Sequence, residues 1–135
     1  MIGLFLITHC NYGEALIQCA CHVHAKRPEQ MAQLSVSAQD DPAQTLLRAG
    51  QMIRQIDSGD GVLILTDILG ATPANIAAKL LRAGKVAGVA GVNLPMLLRA
   101  LTYRDKGMET LITKAIAGGC EGVIEMQESN AERGN

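Results

Sequence analysis

His9 and Asp67 are the residues of this sequence best suited to do chemistry together. Each ends a short apolar run. Ile2-Gly3-Leu4-Phe5-Leu6-Ile7-Thr8 leads into His9, and Gly61-Val62-Leu63-Ile64-Leu65-Thr66 leads into Asp67. Imidazole changes charge near neutral pH and offers a nucleophilic ring nitrogen. A carboxylate beside it can accept from the other nitrogen, fix the tautomer, and stabilise the cation formed when the free nitrogen bonds phosphorus. Gly70-Ala71-Thr72-Pro73 follows at once, with Thr72 as an N-cap and Pro73 in the first helical position. The free N–H groups and positive dipole end of such a helix suit a phosphate, Gly70 and Ala71 keep the approach open, and the Thr72 hydroxyl can donate. Nucleophile, orienting carboxylate and oxyanion cradle are the parts of phosphoryl transfer through histidine. No second acidic residue accompanies Asp67, so neither a metal nor a cofactor is expected.

Those residues meet only if the chain brings two distant strand ends together. The apolar runs have the composition of strands buried on both faces of a parallel sheet. Helical periodicity follows from about Glu14 to Ala25, and Leu34-Ser35-Val36-Ser37 reads as a weak strand near an edge. Asp41 reads as an N-cap, with Pro42 in first position and Gln44 closing a capping box. Leu46, Leu47, Gly50, Ile53 and Ile56 carry that helix. After Asp67, Ile76, Ala77, Leu80 and Leu81 form a buried stripe, ended by a C-cap at Gly84. Val86 to Gly91 form a fourth strand, followed by helices through Met96–Leu101 and Met108–Ile116. Gly118-Gly119 is expected to break the last helix, leaving Cys120 to Met126 as a short final strand.

Strands alternating with helices imply an α/β three-layer sandwich with right-handed crossovers and helices on both faces of a parallel sheet. The order 2-1-3-4 makes the first and third strands neighbours that the chain leaves in opposite directions. A crevice opens at their carboxyl ends, where His9 and Asp67 lie. Singly, His9 reads as a cap of the following helix, Asp67 as a cap of the loop after its strand and Thr72-Pro73 as a plain helix start; their shared crevice favours chemistry.

Composition narrows the classes of function. The chain has 135 residues, enough for one domain, read as residues 1–126 with a loose tail over 127–135. Trp is absent, Phe occurs once and Tyr twice, so the core is aliphatic and base-stacking nucleic-acid binding is disfavoured. The net charge of -1, without a basic run, argues against nucleic acid and anionic membranes as partners. No apolar stretch reaches the roughly 20 residues of a membrane span, and no signal-peptide pattern opens the chain. A cytoplasmic location is expected. Cys10, Cys19, Cys21 and Cys120 lack the spacing of a disulfide framework. In Cys19-Ala20-Cys21-His22-Val23-His24, helical spacing places Cys19 in the core with Leu16, Ala20 and Val23. Cys21 and His22 then point away, so no closed zinc site is expected.

Three segments carry a resemblance: Ile7-Thr8-His9, Leu65-Thr66-Asp67-Ile68-Leu69-Gly70-Ala71-Thr72-Pro73-Ala74-Asn75, and Gly91-Val92-Asn93-Leu94-Pro95-Met96-Leu97-Leu98. In that order and spacing they resemble the mannose/fructose-type IIA component of the bacterial phosphoenolpyruvate-dependent phosphotransferase system, over about Met1 to Met126. The resemblance implies that His9 receives a phosphoryl group from the histidine phosphocarrier protein and passes it to a IIB partner. It also implies that Asp67 pairs with His9 and that Gly70, Ala71 and Thr72 bind the phosphoryl group. A homodimer exchanging its last strand is implied too, with residues Cys120 to Met126 antiparallel at the sheet edge. Cys10 departs from the glycine of many members, and Ile68 from a hydroxyl residue of some. No fused IIB domain or linker is expected, so transfer goes to a separate IIB protein in sugar uptake.

Other readings use the same residues. One is a regulatory phosphoprotein without a dedicated transporter; another is the phosphotransfer subunit of a dihydroxyacetone kinase. A receiver domain is weaker because the first strand ends without the acidic pair that holds magnesium. A flavodoxin is weaker still, lacking the hydroxyl- and glycine-rich loop for a flavin phosphate.

Overall fold

A computed structural model describes residues 1–129. Nine elements follow in order: β1 (Gly3–Thr8), α1 (Tyr12–His24), β2 (Met31–Ser35), α2 (Pro42–Ile56), β3 (Val62–Thr66), α3 (Thr72–Leu80), β4 (Val86–Ala90), α4 (Leu94–Tyr103) and α5 (Met108–Glu121). The four strands form one parallel sheet in the order β2-β1-β3-β4, as the sequence predicts. Every residue of β1 and β3 is buried, which is why the two most continuous apolar runs take the centre. β2 buries only Leu34 and takes an edge.

Side-chain alternation divides the core between two layers. Leu4, Leu6, Leu63 and Leu65 pack with Ile17 of α1, Leu97 of α4 and Leu111 of α5. Phe5, Ile7, Val62 and Ile64 face the other way, onto Ala49 and Ile53 of α2 and Ile76 of α3. Helices therefore cover both faces. At the amino edge of the sheet, the buried Arg104 donates to the carbonyls of Ile2, Glu29 and Gln30, tying together the approaches to β1 and β2.

The expected antiparallel edge strand is not formed: all paired strands among the described residues are parallel. Gly118-Gly119 does not break α5, which runs on to Glu121 and takes in Cys120. The glycines serve packing instead. A Cβ on Gly118 would lie 2.6 Å from Arg99 Cβ, and one on Gly119 2.8 Å from Met96 Cε. They let α5 close onto α4, and the intrahelical bonds of α5 survive their low propensity. From Val123 to Ser129, the last described residue, there is no regular element, and Val123, Ile124 and Met126 are exposed. Of the expected tail, 127–129 have no regular element and 130–135 lie outside the described residues.

Smaller differences have local causes. The buried face of α1 runs through Gly13, Leu16, Ile17 and Ala20, with Cys21 packed at its margin. Cys19 and Val23 are exposed, so the expected core position of Cys19 is wrong. The face is centred on Ile17, which rotates the stripe away from Cys19. Asp41 sits at the N-cap of α2 without a side-chain cap bond, and the expected capping box is not made. Leu47 is exposed on the outer side of that helix. The helix α3 ends at Leu80, and Gly84, at φ +75°, turns the following loop instead of capping the helix. β2 begins three residues before the predicted Leu34.

Candidate active site

Strand register dictates the meeting of the two predicted residues. Ile7 of β1 lies opposite Thr66 of β3, so His9 and Asp67 leave neighbouring strands at the same edge. Their side chains touch: His9 Nδ1 lies 2.7 Å from Asp67 Oδ2. The same Oδ2 accepts from the His9 backbone N–H at 2.9 Å. Asp67 Oδ1 meanwhile accepts from the Ile68 N–H at 3.1 Å. The carboxylate, 15% exposed, thus grips both the backbone and the ring of His9, itself 43% exposed. Burial alone would raise the Asp67 pKa, but hydrogen bonds from the His9 amide and ring, with the ring's charge, hold it below the ordinary carboxylate value.

An ionised carboxylate can only accept, so the Nδ1 facing it carries a proton. Nε2 is then the nitrogen with a free lone pair in the neutral ring. A phosphorylated Nε2 leaves a cationic ring, which the carboxylate at Nδ1 stabilises electrostatically.

The predicted phosphoryl-binding turn stands directly after Asp67. Gly70 has φ +87°, a conformation that glycine adopts without strain. Ala71 takes the N-cap position and Thr72 the first helical residue of α3, a residue earlier than predicted for the cap. Asn75 N–H already bonds to Ala71 O, so the donors left over are those of the first turn.

Sequence reasoning missed the supports of His9. Gly13 N–H donates to the buried Thr8 Oγ1 at 2.8 Å, pinning the start of α1 to the end of β1. A Cβ at Gly13 would sit 3.1 Å from that oxygen, so a glycine five residues after a threonine was the available signal. Tyr12 Oη donates to Val92 O at 2.7 Å, linking α1 to the loop after β4. Nothing in the local pattern pointed to that bond. Cys10, beside His9, has φ +49°, which explains why glycine would suit this position. His22 and His24 are exposed on α1, away from this edge. Among the described residues no His, Cys, Asp and Glu cluster could hold a metal ion. No helix among them is long and apolar enough to cross a membrane.

The family described as PTS system fructose IIA component (EIIA-man) matches residues 3–116. The mannose-specific EIIAB component of the phosphotransferase system of Escherichia coli K12 is 32% identical over 95 residues, covering 67% of this chain. The chain spans 29% of the length of that relative. Among solved structures, EIIA from Streptococcus agalactiae superposes with a TM-score of 0.81 at 23% identity, covering 93% of this chain and 97% of that one. The mannose/sorbose-specific IIA subunit from Enterococcus faecalis also gives 0.81, at 22% identity and 95% and 96% coverage. These two likenesses show the fold. The family match spans both the His9 and the Asp67 loops, and this chain belongs to the fructose IIA component (EIIA-man) family of the phosphotransferase system.

Proposed function

We propose that His9 is the phosphoryl acceptor and that Nε2 is the atom modified. The observation that carries this reading is the double hold of Asp67 Oδ2 on the His9 amide and Nδ1. In the reaction the N–P bond of a donor phosphohistidine breaks, its electron pair stays with the donor ring, and a bond forms from phosphorus to Nε2. Nδ1 keeps its proton throughout. Gly70, Ala71 and Thr72 present the start of α3 to the phosphoryl oxygens. Transfer onward repeats the step in the other sense.

The donor in this reading is the histidine phosphocarrier protein and the acceptor a separate IIB protein, in cytoplasmic sugar uptake. The chain also forms a homodimer. Support for self-association comes from Val123, Ile124 and Met126, apolar side chains clustered in the last described residues and all exposed.

The experiment is incubation with labelled phosphoenolpyruvate, the first enzyme of the system and its phosphocarrier. Acid-labile label is expected on the parent chain and none on His9→Ala, with mass spectrometry and phosphorus NMR placing it on Nε2. Label that persists in His9→Ala overturns the assignment.

A further inference from the structure

The loops after β1, β3 and β4 are joined by one closed circuit of hydrogen bonds, and Tyr12 closes it. Its backbone N–H donates to His9 O at 3.2 Å, while its Oη donates to Val92 O at 2.7 Å in the loop after β4. From that loop the N–H groups of Gly91 and Val92 both donate to Thr66 O, each at 2.9 Å. Thr66 precedes Asp67, whose Oδ2 returns to the His9 amide and Nδ1. Val92 is buried and held at its own N–H, so its carbonyl is a firm anchor. Two links can be removed without touching the backbone, the Asp67 carboxylate and the Tyr12 hydroxyl. The His9 loop needs such an outside hold. Cys10 has φ +49°, a left-handed backbone that a residue other than glycine keeps only where its surroundings enforce it.

We infer, resting on the His9 reading above, that Tyr12 is a positioning residue of the transfer: its hydroxyl holds the His9 and Asp67 loops together so that Nδ1 stays on the carboxylate. The hydroxyl acts through Val92 and Thr66, since its bond goes to a backbone carbonyl and not to the ring. Without it the His9 loop can drift, and the 2.7 Å contact between Nδ1 and Oδ2 weakens steeply with added length or a poorer angle. A ring released from the carboxylate spends part of its time protonated at Nε2, where it then has no lone pair to offer phosphorus. Tyr12 thus sets how much of the protein carries the reactive tautomer.

Phosphoramidate tests this step without a protein donor: Nε2 attacks phosphorus, the P–N bond breaks, and its electron pair leaves with the protonated nitrogen as ammonia. Tyr12→Phe removes the hydroxyl and keeps the ring. Its single-turnover labelling by phosphoramidate is expected to fall about fivefold, the weight of one ordinary hydrogen bond. In the Asp67→Asn background the same substitution should cost about twofold or less, because the neutral amide gains less from being positioned. Nitrogen NMR of the His9 ring at alkaline pH needs no donor. It should show Nδ1 protonated in the parent and a share of the Nε2-protonated tautomer in Tyr12→Phe. Arg104→Met, weakened at the opposite edge of the sheet, should show neither change. A parent rate in Tyr12→Phe overturns the inference, and so does a fall with the tautomer unchanged. An equal fall in both backgrounds overturns it by making the hydroxyl a direct contact of the phosphoryl group. A matching fall in Arg104→Met overturns it by reducing Tyr12 to a brace of the fold. If the parent chain accepts label from neither phosphoramidate nor the phosphocarrier, it is the His9 reading that fails.

Discussion

Asp67 Oδ2 accepts two hydrogen bonds from a single residue, the amide N–H of His9 at 2.9 Å and its ring Nδ1 at 2.7 Å. A ring held only through Nδ1 could still swing about its bond to the backbone. The amide bond fixes the loop as well, so Nε2 keeps one direction. In the proposed transfer such fixed geometry would lower the reorganisation needed.

Asp67→Asn is therefore expected to slow transfer without abolishing it. The amide oxygen can still accept from Nδ1, but the negative charge that steadies the phosphorylated ring is gone. Loss of an outer carboxylate partner of a histidine costs about 10–100-fold in metal sites, and a loss on that scale is expected in the single-turnover rate. A rate equal to the parent's would reduce Asp67 to a loop brace.

The same carboxylate makes part of the fold's stability acid-sensitive. Burial raises the Asp67 pKa, but the His9 bonds outweigh it and leave the folded value below the ordinary one. A carboxylate depressed in this way stabilises the fold fully above its unfolded value, about pH 3.9, and that contribution fades as pH falls through the folded value. Urea unfolding of the parent should weaken more steeply below about pH 4 than that of Asp67→Asn. Coincident pH profiles would mean that the His9 bonds do not outlast dilution into solution.

Much of this site was legible because strand ends are. Two unbroken apolar runs could only be central strands, and the parallel order then forced His9 and Asp67 to one edge. The end of α5 was not legible. Glycines 118 and 119 look alike to a propensity argument whether they break a helix or let another pass close by, and only the nearness of Arg99 and Met96 decides it. Cys19 failed for a related reason: four apolar residues near one face leave its centre uncertain by a fraction of a turn, and Ile17 took it. Bonds such as that from Tyr12 to Val92 join residues 80 apart in sequence, a separation at which no local pattern operates.

Gly118 gives a substitution whose sign depends on that packing. In an open helix, Gly to Ala stabilises by about 1 kcal/mol. Here the new methyl group would lie 2.6 Å from Arg99 Cβ and 2.9 Å from its Cγ, inside van der Waals contact with a helix that cannot retreat freely. Overpacking costs about 1–3 kcal/mol, so Gly118→Ala should lower the urea midpoint instead of raising it. A stabilised variant would show that α4 and α5 can part without penalty.

Arg104 offers the last test, at the edge opposite His9. Its guanidinium is buried and spends its donors on three backbone carbonyls: Nε to Ile2 at 2.9 Å, Nη1 to Glu29 at 2.7 Å and Nη2 to Gln30 at 2.8 Å. Burial lowers its pKa, although the negative charge of Glu29 opposes that shift. Arg104→Met keeps the length of the stem and removes every donor, leaving the carbonyls before β1 and β2 to find water or go unpaired. Charge-assisted bonds contribute about 1.5–3 kcal/mol each, and partial rehydration brings the expected loss of stability to about 3 kcal/mol. Arg104→Lys should recover only part of it, because one ammonium cannot span three carbonyls held in a planar fork. The site lies at the far edge of the sheet, so phosphoramidate labelling of His9 in folded Arg104→Met should match the parent. Calorimetric unfolding measures the first effect and single-turnover labelling the second. Full stability in Arg104→Lys would reduce the guanidinium to a generic buried cation.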